Sequence, residues 1–422
     1  MRTFLFGIFF IASTFSNAQT DSGIAKNPII FIHGFLASGD TWANAFDFFQ
    51  LEGYNTNQLF VFDWNSISGN NQQTDTLLSK FIDVVLKKTG ASQIELVAHS
   101  AGGGLARNLL KDSIQANKVA HYAHIGSRKW TTAYPWFPNA KCINIFSAGD
   151  KVAGNAAGRI EGATNFAFGL LDHYQLATSH ETLQAIKDFF AGQYILCYSI
   201  SMPPVEIAGK AVELGTNQPM RGATLTIYPL NIKNGKRKRA LLADRLAVDE
   251  NGNWGPVTIE RATPYEIEVI PANRLGRVIS YYFPPFSQSN PLVYLRGFPN
   301  DSRMNFLLGK IPENETNTTL VVYASTSAMV GGRDSVTVNG MQICSPLLTP
   351  ASKTAITSFI FDDGDGVSSG KALKQFSSVP FISGVDIALA ADKKPIYIYC
   401  NGQQLTIPAL PSAQRIQLAV FR

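Results

Sequence analysis

A parallel α/β sheet with helices on both faces, followed by an all-β region of sandwich or barrel type, is the architecture this 422-residue sequence predicts. Three observations carry it. Over residues 28–192, short continuous apolar runs alternate with helix-spaced segments, the pattern of strands buried on both faces of a parallel sheet. From Met202-Pro203-Pro204 onward the texture changes to short alternating strands with no convincing helix. At about 100–200 residues per domain, the chain is also too long for one ordinary domain.

Taken in order, Pro28–Ile32 is an apolar strand ending at His33-Gly34, and Asp40–Gln50 has helical spacing through Trp42, Phe46 and Phe49. Leu59–Phe62 reads as a strand and Leu77–Leu86 as a helix. Ile94–Ala98 is a buried strand, Gly102–Leu110 a helix, and Val119–Ile125, Ile143–Phe146 and Asn165–Phe168 complete six strands. Thr178-x-x-Glu181 is a capping box that opens a helix running to Phe190. In the second half the strands are Glu206–Val212, Ala223–Tyr228, Tyr265–Ile270, Thr319–Tyr323, Thr354–Phe361 and Ile396–Cys400. Asn251-Gly252, Asn339-Gly340 and Asn401-Gly402 are hairpin turns. The resulting divisions are 1–18, 19–201, 202–311 and 312–422, and the last two form either separate β modules or one β domain.

Residues 1–18 read as a secretory leader: Arg2, the apolar run Phe4–Ala12 and the small-x-small site Ser16-Asn17-Ala18, with cleavage after Ala18. No Cys follows the site, which argues against a lipid anchor, and no later run approaches the ~20 apolar residues of a membrane span. A soluble protein, periplasmic or extracellular, is expected. Without Arg2 the chain has 35 basic and 31 acidic residues, a charge of +4, too mild for a nucleic-acid partner. The basic cluster Lys233, Lys236, Arg237, Lys238 and Arg239 reads as a solvated hairpin tip. Four scattered cysteines exclude a CxxC zinc site and allow three disulfide pairings, of which 142–197 with 344–400 keeps each bridge within one half.

The chemistry concentrates at Ala98-His99-Ser100-Ala101-Gly102. A serine between a buried strand and a helix, with small residues two positions before and after, is the context of a nucleophile elbow. Such a serine needs a base, an acid and donors for an oxyanion. The amides of Ala101 and of Phe35, in the turn after the first strand, are the donors expected. Asp150, just beyond the Ile143–Phe146 strand, is the candidate acid. His173 stands on the loop after the last strand and is the candidate base; His180, in the first turn of a helix, faces solvent. His33 and His99 are packing or hydrogen-bonding residues, and His121 and His124 are structural. Trp130, Tyr134, Trp136 and Phe137 form an aromatic loop that either lines an acyl pocket, meets a lipid surface or packs against the β half. Asp362-Asp363-Gly364-Asp365-Gly366 reads as an ordinary turn, so no metal is expected.

In the order of these motifs the chain resembles α/β-hydrolases of the lipase/esterase type. His33-Gly34, Ala98–Gly102 and His173–Leu176 are similar to the HG strand, AxSxG elbow and final HxxL of the small lid-less bacterial lipases. Over about residues 28–300 it also resembles archaeal two-domain lipases with a C-terminal β-barrel, through Thr178–Thr182, Tyr228-Pro229, Gly235-Lys236-Arg237, Val248–Gly252 and Tyr281–Ser289. It departs from the archaeal pattern twice. Gly126-Ser127 stands where those lipases carry the acid, leaving Asp150, and only Asp63–Gln93 occupies the place of their long lid.

The resemblance implies a minimal α/β-hydrolase sheet, lipid or other hydrophobic ester substrates and interfacial contact with lipid aggregates. The triad itself predicts hydrolysis through an acyl-enzyme without a cofactor. Rival readings are an adhesin or glycan-binding protein with an inert hydrolase domain, and a polyester hydrolase or amidase using the same triad. The β half is expected to contact substrate or a surface polymer. Docked near Trp130–Phe137, it would extend the acyl surface, so that deleting 203–422 would spare short esters.

Overall fold

The computed structural model describes residues 26–67, 71–191, 204–238, 241–272, 278–298 and 311–422. The leader, Cys197 and Arg239 lie outside the described residues. Among those described, no helix is long and apolar enough to cross a membrane.

The first half runs β1 (Ile29–Ile32), α1 (Ala43–Leu51), β2 (Leu59–Phe62), α2 (Asn71–Thr89), β3 (Ile94–His99), α3 (Ala101–Leu109), α4 (Ser113–Ala116), β4 (Val119–Ile125), β5 (Cys142–Ser147), β6 (Thr164–Phe168), α5 (Gln175–Thr178) and α6 (His180–Ala191). The six strands form one parallel sheet in the order β2-β1-β3-β4-β5-β6. Alternation along β1 explains the layers. Ile29 and Phe31 enter a core with α1 and α6, whereas Ile30 and Ile32 enter the opposite core with α2 and α3. This is why the central strands read as unbroken apolar runs. The capping box is displaced by one residue. Thr178 already ends α5, and Ser179 Oγ accepts from the Thr182 amide at 3.3 Å.

The second half contains β7 (Val205–Glu213), β8 (Thr224–Pro229), β9 (Ala243–Ala247), β10 (Asn253–Ile259), β11 (Tyr265–Ile270), β12 (Val278–Phe283), β13 (Asn290–Gly297), β14 (Leu320–Ala324), β15 (Val336–Val338), β16 (Met341–Gln342), β17 (Thr357–Phe361), β18 (Ile382–Asp386), β19 (Pro395–Cys400), β20 (Gln403–Pro408) and β21 (Arg415–Phe421). An eight-stranded sheet, β18-β17-β14-β21-β12-β11-β8-β9, lies between a three-stranded sheet, β10-β7-β13, and a four-stranded sheet, β16-β15-β19-β20. Adjacent residues serve opposite cores: Tyr281 and Val321 face the three-stranded sheet, Tyr282 and Val322 the four-stranded one. Because β21 pairs with both β12 and β14, strands on either side of Pro312–Asn317 share one sheet.

Asn339-Gly340 and Asn401-Gly402 close the hairpins β15–β16 and β19–β20, with all four residues at positive φ as a type I′ turn requires. Asn251-Gly252 closes no such ladder, because β9 pairs with β8 and β10 with β7. Arg237 is not part of a solvated tip. Its guanidinium bridges the carboxylates of Glu266 and Glu268 and lies 3.6 Å from the Tyr228 ring centroid. Cys142, Cys344 and Cys400 are buried free thiols, so the 344–400 bridge is not formed. Cys344 Sγ instead accepts from the Thr349 hydroxyl at 3.2 Å.

The two halves are joined through apolar and polar contacts. Val212, Leu292 and Tyr294 enter the core of β1, α1 and α6. Beside them Arg296 donates to Asp40 at 2.5 Å, their side chains 12% and 10% exposed, while Lys210 and Tyr294 both reach Asp63. Removing one partner of a buried ion pair leaves the other charge uncompensated. Arg296→Ala should therefore destabilise the protein by about 3–5 kcal/mol in urea unfolding. Joint replacement of Arg296 by Met and Asp40 by Leu should recover part of that loss.

Candidate active site

Between β3 and α3 the chain turns sharply at Ser100, which has φ 53° and ψ −122°. A side-chain-bearing residue held there is strained, and only close packing on both sides keeps it in place. Gly102 supplies that packing: a Cβ on it would lie 2.6 Å from the His33 carbonyl oxygen and 2.9 Å from that of Ile32. The Ser100 amide donates to Ile125 O at 2.9 Å, and the Ser127 hydroxyl donates to Ser100 O at 2.7 Å.

Ser100 Oγ lies 2.8 Å from His173 Nε2, and His173 Nδ1 lies 2.8 Å from Asp150 Oδ2. An ionised carboxylate only accepts, so the His173 proton belongs on Nδ1 and Nε2 is free to accept from the serine. Asp150 Oδ1 accepts from the amides of Val152 and Ala153, each at 2.9 Å. Burial opposes ionisation of Asp150. The His173 hydrogen bond and charge, together with the two amides, outweigh it and hold its pKa below the ordinary carboxylate value. Gly149 lets the acid loop approach the histidine loop, since a Cβ there would lie 2.6 Å from the Leu170 carbonyl. Gly126 stands at φ +52°, with its Cβ position 3.4 Å from Asp150 Oδ2 and 3.5 Å from His173 Nδ1. The space beside Gly126 is thus occupied by the Asp150 carboxylate.

Of the amides after Gly34, Leu36 N donates to Ser66 Oγ and Ala37 N to Gly34 O. That of Phe35 has no partner among the described residues. Ala101 N is the first amide of α3, where helix geometry offers no carbonyl. His99 Nε2 bonds the His173 carbonyl at 2.8 Å, their rings 4.6 Å apart. His180 is exposed, with its ring edge-on to Phe48. His124 is enclosed between Tyr122 and Arg128 O, and His121 pairs with Glu95.

An apolar cavity is bounded by Leu36, Tyr174, Val321, Ile356, Phe359 and Phe381, among others. None of its wall is a triad residue, but Tyr174 follows His173 in the chain and the Phe381 ring lies 6.5 Å from the His173 ring. Most of its wall comes from the β half. None of Trp130, Tyr134, Trp136 and Phe137 lines it. Trp130 and Tyr134 instead hold the Arg107 guanidinium, each 4.0 Å from it, Trp136 donates to Leu110 O, and Phe137 is buried beneath α3. A cation on α3 has drawn the aromatic loop onto its own domain.

Two residues of the β half that sequence reasoning missed touch the histidine loop. The Phe381 ring lies 6.5 Å from that of His173 at 18°. Arg333 donates to Asp172 Oδ2 at 2.8 Å, while Asp172 Oδ1 caps the turn of His173 by accepting from Tyr174 N and Gln175 N. Neither sits in a local motif.

Residues 26–126 match the family model of class 2 lipases, and residues 203–298 match that of the lipase C-terminal domain. A further C-terminal-domain model matches residues 309–421. The sheet, the elbow and these matches define a hydrolase with the α/β-hydrolase fold, similar to lipases and esterases and carrying an additional C-terminal β region. Solved structures similar to it include a Bacillus licheniformis lipase in mature form, with 16% identity, 41% of this chain and 94% of that chain covered, and a TM-score of 0.33. A CIB-like hydrolase of Thermoplasma acidophilum has 17% identity, coverage of 42% and 90%, and a TM-score of 0.32. Aspergillus fumigatus lipase B has 14% identity, coverage of 37% and 51%, and a TM-score of 0.28.

Burial pushes the pKa of both His99 and His124 down to about 3. Between that value and the ~6.5 of a free histidine, the unfolded chain binds more protons than the native one. Stability therefore falls as pH drops below about 6.5, by up to about 1.4 kcal/mol per pH unit for each histidine. His124→Gln should make the slope of unfolding free energy between pH 6 and 4 shallower by about one such increment, measured by urea titration at each pH.

Proposed function

We propose that the protein is an exported serine carboxylic-ester hydrolase acting on lipid or other hydrophobic esters. The single observation that carries this reading is the unbroken hydrogen-bonded chain Asp150–His173–Ser100 at a strained elbow. Ser100 attacks the acyl carbon while His173 Nε2 takes its proton. Asp150 holds the imidazole in the required tautomer and stabilises the imidazolium, and the Phe35 and Ala101 amides receive the oxyanion. His173 then protonates the departing alcohol, and water, activated by the same nitrogen, cleaves the acyl-enzyme. No step calls for a cofactor. Export rests on the leader read at residues 1–18.

The apolar cavity supports a hydrophobic acyl group, housed against the β half rather than the aromatic loop. Phe35, Val152 and Leu170, on the three loops around the triad, are exposed, Leu170 by 90%. An apolar rim of this kind suits contact with a lipid aggregate. Because Val212, Leu292 and Tyr294 complete the hydrolase core and Arg333 holds the histidine loop, deletion of 203–422 should damage turnover of short esters as well as long ones.

A p-nitrophenyl ester series of increasing acyl length tests the reading. Ser100→Ala and His173→Ala should each lower kcat by up to roughly 10⁶, and Asp150→Asn by about 10⁴ with the fold retained. An inactive wild-type protein, or full activity in Ser100→Ala, would remove it.

Ile356, partly buried in the cavity wall, offers a separate check of acyl placement. Each buried methylene contributes about 0.8 kcal/mol, so excluding four carbons costs about 3 kcal/mol, or about 100-fold in kcat/KM. Ile356→Trp should impose that loss on long-chain esters and leave acetate and butyrate esters near wild type. Equal losses at every length would place the acyl chain elsewhere.

A further inference from the structure

We propose that Asn217, in the β half, is a positioning residue that aims the peptide unit between Gly34 and Phe35 at the oxyanion; this rests on the serine-hydrolase reading above. Asn217 sits in the turn after β7 at φ 55°, a conformation Asn tolerates better than most residues, with its amide bonded to Glu213 O at 3.0 Å. The residue is 8% exposed, and its side chain crosses into the other half. Nδ2 lies 3.2 Å from His33 Nε2, 2.9 Å from Ala37 O and 3.0 Å from Trp64 O, and Oδ1 accepts from the Ser38 hydroxyl at 2.5 Å.

The consequence passes through His33, a fully enclosed imidazole whose pKa burial lowers, leaving it neutral. Its Nε2 faces two donors, Asn217 Nδ2 and the Trp64 amide at 3.2 Å. The ring proton must then reside on Nδ1, which donates to Gly34 O at 2.8 Å. In a trans peptide the carbonyl and the following N–H point in opposite directions. Fixing Gly34 O on the His33 side therefore directs the Phe35 N–H away from it. This turn lies against the nucleophile, since a Cβ on Gly34 would be 3.0 Å from Ser100 Cβ. Asn217 touches no reacting atom in this scheme; together with the Trp64 amide it holds His33 in the tautomer that orients the peptide, and at the same time it ties Ala37, Ser38 and Trp64.

Asn217→Gly removes the side chain while leaving the left-handed backbone accessible. A misplacement of about 1 Å costs about 10² in rate, and loss of one oxyanion donor costs about 10²–10³. With p-nitrophenyl butyrate, kcat should fall roughly 10- to 100-fold while KM stays within about twofold. Affinity for butylboronic acid, whose tetrahedral serine adduct carries an oxygen toward the same amides, should fall by a similar factor. Unchanged kcat in the folded variant, or reduced kcat with undiminished boronate affinity, overturns the proposal.

Should Asn217→Gly not fold, Ser38→Ala, which removes one hydrogen bond to Oδ1, should lower kcat and boronate affinity together by about 3- to 10-fold. No change in either quantity again overturns the proposal. A wild-type protein that neither hydrolyses the ester nor binds the boronate marks failure of the hydrolase reading, which is distinct from an active wild type with indifferent variants.

Discussion

The closeness of the turn after β1 to the elbow at Ser100 is the constraint on which the rest of the structure depends. Two missing side chains permit it. At Gly102 a Cβ would strike the carbonyls at the end of β1, and at Gly34 it would crowd Ser100 itself. With both absent, α3 packs directly beneath β1 and the serine is held in its strained conformation. The acid and histidine loops then approach from β5 and β6, again through a glycine, Gly149. Backbone fitted to backbone resists displacement better than contacts between long flexible side chains, because few rotatable bonds can absorb a shift.

The β half completes this arrangement rather than hanging beside it. Its residues enter the core under α1, and its polar side chains supply further partners to carboxylates that the hydrolase half buries. Asp40 meets Arg296, Asp63 meets Lys210 and Tyr294, and Asp172 meets Arg333. Each carboxylate enclosed at such a junction needs a cation or donor, so the two halves are complementary in charge as well as in shape. The same docking builds most of the apolar cavity next to His173. A sheet with so short a segment between β2 and β3 gains from its neighbour a wall it does not itself supply.

Burial also sets the protonation states on which the site relies. His33, His99 and His124 are enclosed and depressed in pKa, so they act as fixed neutral donors and acceptors. Asp150 is enclosed too, but its hydrogen bonds favour the ionised form. The difference is one of direct partners: carbonyl oxygens and neutral groups hydrogen-bond the three histidines, whereas two amides and an imidazole hydrogen-bond the carboxylate.

Much of the first half was legible from sequence, because its signals are local. β2 and β4 there, like β11 in the second half, have the bounds their apolar patterns predict, and the strand–serine–helix pattern, Asp150 and His173 were each readable within about ten residues. The cap at Ser179, the β9–β10 connection and the strands around β12, β13 and β21 were not, since their pattern depends on which sheet receives them. Sequence likewise named the aromatic loop but not its partner, Arg107, which lies on another element. Tertiary structure alone decided that Arg333 meets Asp172, that Phe381 faces His173 and that Asn217 reaches His33. Those pairs are separated by more than 150 residues. No periodicity links such distant positions: local chemistry is written in spacing, but contacts across a junction exist only once both cores have formed and each buried polar group has found a partner.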